Sequence, residues 1–141
     1  MAVPIGMASD RTGIKVPTIR YYEQIGLLLS PPRTGSNRRL YGDAEIRRLN
    51  FIRHARELGF EVEDIRELLA MAAEPQASCH KADSIARSHL AEINRRIAAL
   101  EALKGELTRM IDECGHGRIC ECRIIEALAD HGLCESEHAR I

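Results

Sequence analysis

At 141 residues the chain holds one or two small domains and a modest core, too little for a large enzyme cleft. With no Trp, three Tyr and two Phe, much of its apolar burial must come from Leu, Ile, Val and Ala, a composition suited to helices packed on helices. The net charge of −1 conceals a basic front, ten Lys/Arg against three acids from Arg11 to Arg56, and an acidic rear, ten against seventeen from Glu57 onward. A polyanion is expected to bind the front alone. No apolar run approaches the ~18 residues of a membrane span, and no charged-then-apolar leader opens the chain, so no membrane partner is expected and the location is expected to be cytoplasmic. In that reducing compartment five cysteines, an odd number, read as metal ligands or free thiols rather than disulfides.

Apolar residues at helical spacing predict a first helix from Ile5 to Thr12, stopped by Gly13. Val16-Pro17 opens a second, because Pro is favoured in a first turn, and Thr18-Ile-Arg-Tyr-Tyr-Glu continues it to Gly26. Two short helices around a tight Gly-containing turn form the pattern of a helix-turn-helix. From Ser30 to Tyr41 turn formers and bases alternate around Pro31-Pro32; this stretch predicts an exposed hairpin or wing.

Asp43 is the expected N-cap of a third helix carrying Ile46, Leu49, Phe51 and Ile52 to Leu58-Gly59. A fourth begins near Val62 and ends before Pro75. A fifth, from about Cys79 to Cys114, carries Ile93, Ile97, Leu100, Leu103/Lys104, Leu107 and Ile111 at steps of three and four. So narrow a stripe on a rod of about 50 Å is a coiled-coil seam, and a homodimer is the economical way to cover it. A short helix around Ile124–Leu128 follows a cysteine loop. The expected domains are 1–75, DNA-binding; 76–113, dimerisation; and 114–141, metal loop, short helix and tail.

The loop reads Cys114-Gly-His116-Gly-Arg-Ile-Cys120-Glu-Cys122. Three thiols and an imidazole within nine positions make a soft-metal site lacking a fourth donor, and Cys79-His80 can supply one. Thiolates select Cu(I), Zn, Cd, Hg and Pb over Mg or Ca.

The strings Arg20-Tyr21-Tyr22-Glu23, Gly26-Leu27, Asn37-Arg38-Arg39-Leu-Tyr41 and Leu58-Gly59-Phe60 resemble the DNA-binding domain of MerR-family transcription regulators, and the likeness runs through the long helix and terminal loop. The resemblance implies a mainly all-α fold: a winged helix-turn-helix, an antiparallel coiled-coil dimerisation helix and a C-terminal metal-binding loop. It implies double-stranded promoter DNA as partner, bound between the −35 and −10 elements, with RNA polymerase activated when an effector makes the homodimer distort that DNA. The second helix would enter the major groove, with Thr18 and Arg20 reaching bases or phosphates and Tyr21 a phosphate. Arg33, Asn37, Arg38 and Arg39 would clamp backbone from the wing, and the resemblance adds Tyr41 and Arg53. Tyr22 and Leu40 read as core, and Arg48 as a solvated helix charge.

In metal-sensing branches of this family the ligands correspond here to Cys114 and Cys122, joined in divalent-ion sensors by a cysteine at the start of the other subunit's long helix, where Cys79 stands. A third thiolate suits the charge and shell of a soft divalent ion, Zn, Cd, Pb or Hg. Copper(I) sensors, the alternative, commonly carry serine there. Cys120, then His116, then His80 are the candidates for the fourth donor. Cys134 reads as a bystander rather than as part of a secondary site with His131 and His138, and His54 and His89 as having no metal role. An iron–sulfur redox sensor, a second alternative, needs four closely spaced loop cysteines. An enzyme built on Cys114 and His116 has no accompanying substrate site, and a drug-binding regulator would need a further domain after the long helix.

Overall fold

The structure, a computed structural model, describes residues 2–29, 35, 38–114, 117 and 122–130. Among them, β1 (Val3–Pro4) leads directly into α1 (Ile5–Thr12); α2 (Val16–Gln24), β2 (Leu40–Tyr41), α3 (Asp43–Glu57) and α4 (Val62–Ala72) follow. A long α5 (His80–Asp112) and a short α6 (Arg123–Ala129) complete the mainly helical architecture. The chain divides into two compact units, Met1–Asp83 and Ser84–Ile141. The boundary lies inside α5, beyond the expected break at residue 75, and Lys81 in the first turns of that helix pairs with Glu67 of α4 at 3.6 Å.

In the first unit, α1 ends where the turn of the helix-turn-helix must begin. Thr12 turns its hydroxyl back onto the Ala8 carbonyl at 2.8 Å and accepts the Ile14 amide on the same oxygen at 3.3 Å. Gly13 follows at φ 75°, a left-handed conformation that costs a side-chain-bearing residue roughly 1–2 kcal/mol, and its amide closes onto Ser9 at 2.8 Å. Pro17 sits in the first turn of α2, where its missing amide hydrogen leaves no intrahelical bond unmade. At the far end Gly26, φ 77°, lets Leu27 donate to the Tyr22 carbonyl at 2.9 Å while Gly26 itself donates to Glu23 at 3.1 Å. These paired bonds turn Leu27 and Leu28 back into the core.

The N-cap of α3 is Gly42, one residue earlier than expected. Asp43 instead joins Glu45 in the first turn, where carboxylates face the positive end of the helix, and Glu45 accepts the Gly42 amide at 2.9 Å. The strand after the turn-rich segment does not find its described partner within that segment. β2 pairs antiparallel with β1, Val3 opposite Tyr41 and Pro4 opposite Leu40. The wing is therefore anchored at its root to the N-terminus.

Ile19, Leu27, Leu28, Tyr41, Leu49, Ile52 and Ile65 are the large side chains at the centre of this unit, each at most 1% exposed. Burying each aliphatic one stabilises by about 1.5–3 kcal/mol. Tyr22 is buried, as its position predicted, and Leu40 is half-buried. Arg48 departs from the expected solvated charge: its Nε donates to the Leu27 carbonyl at 2.8 Å and fastens the chain leaving α2 to α3.

The second unit is built differently. Its described buried residues are Glu106, Met110 and Ala127, with Glu106 paired to Arg109 and Arg123 bridging α6 to Glu113 at 2.6 Å. Along α5, Leu90, Ile97, Leu100, Leu107 and Ile111 are all more than half exposed.

Candidate nucleic-acid interface and metal centre

α2 has two faces because its apolar residues recur at helical spacing. Ile19 and Tyr22 point into the core, which leaves Arg20 and Tyr21 exposed and Thr18 half-buried. Tyr21 is 50% exposed. Arg38 is exposed on the approach to β2, and Arg53, on α3, lies at 3.8 Å from Glu57 one turn on. Arg33 and Asn37 lie outside the described residues.

Two expected contacts are placed otherwise. Tyr41 is fully buried and its hydroxyl donates to Glu23 Oε1, so it is a core residue at the wing root rather than a phosphate contact. Burial first, then the hydrogen bond and charge of Glu23, push this hydroxyl far above the ordinary tyrosine value, against weaker pulls from Arg39 and Arg20. Arg39 stands with Nε 2.9 Å from Glu23 Oε2. Both atoms are buried, and they lie off the line a hydrogen bond requires, so the attraction is chiefly coulombic. Arg20, Glu23, Gln24 and Arg39 line a cleft of about 360 Å³.

Sequence reasoning gave Glu23 no role of its own. The available signal was an acid inside a run otherwise dominated by bases: from Arg11 to Arg56 only Glu23, Asp43 and Glu45 carry negative charge.

At the other end of the chain, Cys114 and Cys122 face each other with their sulfurs 3.9 Å apart, although seven residues separate them. Cys122 is the N-cap of α6. The Ile125 amide first, then that of Ile124 and the Cys114 thiol, draw its own thiol below the ordinary value, against desolvation and the charge of Glu126. No capping hydrogen bond from the sulfur is closed, so the amides act as nearby dipoles. Cys79 is exposed, immediately before α5. Cys120 and His116 lie outside the described residues. Among the described residues no three His, Cys, Asp or Glu side chains converge to hold an ion.

The donor chemistry nevertheless fits a soft metal. Two thiolate bonds of about 2.3 Å place their sulfurs about 3.8 Å apart at a tetrahedral angle and about 4.0 Å at a trigonal one, whereas a linear pair would need about 4.6 Å. At 3.9 Å the two sulfurs are close enough for both to reach one ion.

A tight Gly turn, a helix with a basic outer face and a strand-anchored basic segment define a winged helix-turn-helix DNA-binding protein. Comparison with known proteins gives the class a family. Residues 3–72 match the model of the MerR HTH family regulatory proteins, and residues 46–110 that of the MerR DNA-binding region. The chain is 43% identical over 129 residues to the HTH-type transcriptional regulator HmrR of Sinorhizobium medicae, covering 91% of this chain and 87% of that protein. It is 38% identical over 128 residues to the regulator ZntR of Escherichia coli, covering 88% and 90%. Its structure is similar to that of the transcription regulator PbrR691 from Ralstonia metallidurans, in complex with lead(II), with a TM-score of 0.78 and 32% identity over 89% of this chain and 98% of that one. The chain belongs to the MerR family of transcription regulators, a class of DNA-binding proteins and not of enzymes. No helix among the described residues is long and apolar enough to cross a membrane.

Proposed function

We propose that the protein is a homodimeric, metal-responsive regulator that binds promoter DNA and activates RNA polymerase on binding a soft divalent ion: Zn, Cd, Pb or Hg. The observation that carries the metal reading is the approach of Cys114 and Cys122 to 3.9 Å, which sets two soft thiolate donors at one point, while a cysteine at position 79 offers the third thiolate that suits a divalent ion. The names of similar proteins support it: heavy metal-dependent transcription regulators of Rhizobium meliloti are about 40% identical, and PbrR691 holds lead(II).

In this reading the two loop thiols of one subunit and the partner subunit's Cys79 hold the ion, with Cys120 or His116 as the fourth donor. The bound ion supplies a charge that neutralises the thiolates. The residues of the chain do the rest. α2 presents Thr18, Arg20 and Tyr21 to the major groove, with Arg33, Asn37 and Arg38 on the wing and Arg53 on α3 reaching phosphates. The exposed seam of α5 joins the subunits. Closing the loop onto the partner's helix start changes the angle between the two DNA-binding units, favouring bent and untwisted DNA. Activation requires only that the distorting state bind metal more tightly than the resting one.

Two experiments test this. On an operator selected from randomised DNA, affinity should fall steeply with salt, and Arg20→Ala should weaken binding; a flat salt response with an inert Arg20→Ala rejects the interface. In promoter transcription assays Cys79→Ser should abolish the response to Zn, Cd and Pb while dimerisation and DNA binding persist. The two thiolates left behind still suit Cu(I), so copper response is the expected residue of activity. A Cys79→Ser protein that answers divalent ions like the parent would show that the loop alone binds the effector.

A further inference from the structure

Glu23 is a puzzle on the reading just given. It is a carboxylate on the helix offered to the DNA, three residues from Arg20, where it would repel a phosphate backbone. Its side chain is only 4% exposed, and burying a charge is costly unless it is compensated. Among the described residues two partners at the wing root compensate it. Arg39 approaches one carboxylate oxygen at 2.9 Å, and the buried Tyr41 hydroxyl donates to the other. Both partners lie at the strand that pairs with the N-terminus, so a single side chain of α2 holds the wing root by two residues flanking Leu40.

We infer that Glu23 is a positioning residue for DNA binding: it fixes the wing to the recognition helix through Arg39 and Tyr41, and Arg39 acts as a strut rather than a phosphate clamp. Helix and wing must contact one duplex together, and their spacing decides whether both sets of contacts form. A wing freed from α2 loses that registration although every DNA-facing side chain is intact. The geometry also explains why Arg39 is only 31% exposed, beside an Arg38 that is exposed.

The sign of one substitution separates this from simple repulsion. Glu23→Gln keeps the size of the side chain and an acceptor for Tyr41 but removes the charge that holds Arg39. If Glu23 merely repels DNA, Glu23→Gln tightens binding. If it positions the wing, binding to the selected operator weakens, by about tenfold for the loss of the ion pair with Arg39. Affinities are to be measured well below the melting temperature of each variant, so that a purely structural loss does not register. Arg39→Gln should weaken binding similarly, and the double variant no more than either single one. Unchanged or tighter binding by Glu23→Gln, or additive losses in the double variant, overturns the inference. The inference rests on the α2 and wing interface, so Arg20→Ala and Arg38→Ala are measured alongside. If those are inert, both fall; if they weaken binding while Glu23→Gln does not, the positioning role alone falls.

Discussion

The two units of this chain solve the problem of apolar burial in opposite ways. In the first, thirteen buried apolar residues from β1 to α4 form one core, with the polar Thr12 satisfied within it. In the second, α5 is 33 residues long yet its described burial is confined to its C-terminal end and to α6, and five large apolar side chains stand mostly in water. Helix propensity alone does not stabilise so long an exposed rod; tertiary packing of its apolar face must. The contrast is that the first unit covers its own apolar residues, whereas the second leaves an apolar stripe that the proposed dimer would cover.

The largest expected effect is on that difference. Replacing Leu100 and Leu107 by Glu should convert a dimer to a monomer in sedimentation equilibrium and abolish tight operator binding, because two charges cannot be buried at a helix–helix seam without partners. If the parent itself sediments as a monomer, the stripe is covered in another way and the comparison fails. A smaller, graded effect is expected in the first unit. Leu49→Ala, at a fully buried position, should cost about 2–5 kcal/mol in denaturant unfolding and leave the sedimentation of the remaining folded protein unchanged. The smallest effect sharpens the account of the buried junction. The folded chain keeps the Tyr41 proton where the unfolded chain, with its tyrosine pKa of about 10, gives it up. The stability this contributes is complete below that pH and declines as the pH climbs above it. Tyr41→Phe should therefore unfold with a shallower alkaline pH dependence than the parent, and an unchanged slope would remove Tyr41 from the account.

Much of this was legible in the residues. α1, α2 and α3 appear where Gly13, Pro17, Gly26 and Leu58-Gly59 punctuate the chain, because glycine and proline act through local sterics that need no tertiary context. The N-cap of α3 was misplaced by one residue because Gly42, which lacks a side chain to cap with, precedes the better-looking Asp43. Tyr41 and Arg48 were misjudged for a common reason. Both look like surface residues by type, and their partners, Glu23 and the Leu27 carbonyl, come from elsewhere in the chain. Pairings across such separations leave no periodic trace. The thiol pair was visible as spacing, but its approach to 3.9 Å sets Cys114, just after α5, against the N-cap of α6, a tertiary contact that spacing does not reveal.

The nine residues of α2 bear on how such a protein can acquire a new operator. Ile19 and Tyr22 belong to the core, and Glu23 is engaged by Arg39 and Tyr41. Beyond Val16 and Pro17 of the first turn, Thr18, Arg20, Tyr21 and Gln24 remain to be varied for a different base sequence. Transplanting α2 between relatives to exchange their promoters would carry one half of the wing fastening and leave the other behind. If Glu23 positions the wing, a graft meant to exchange promoters must move residues 16–24 together with Arg39 and Tyr41.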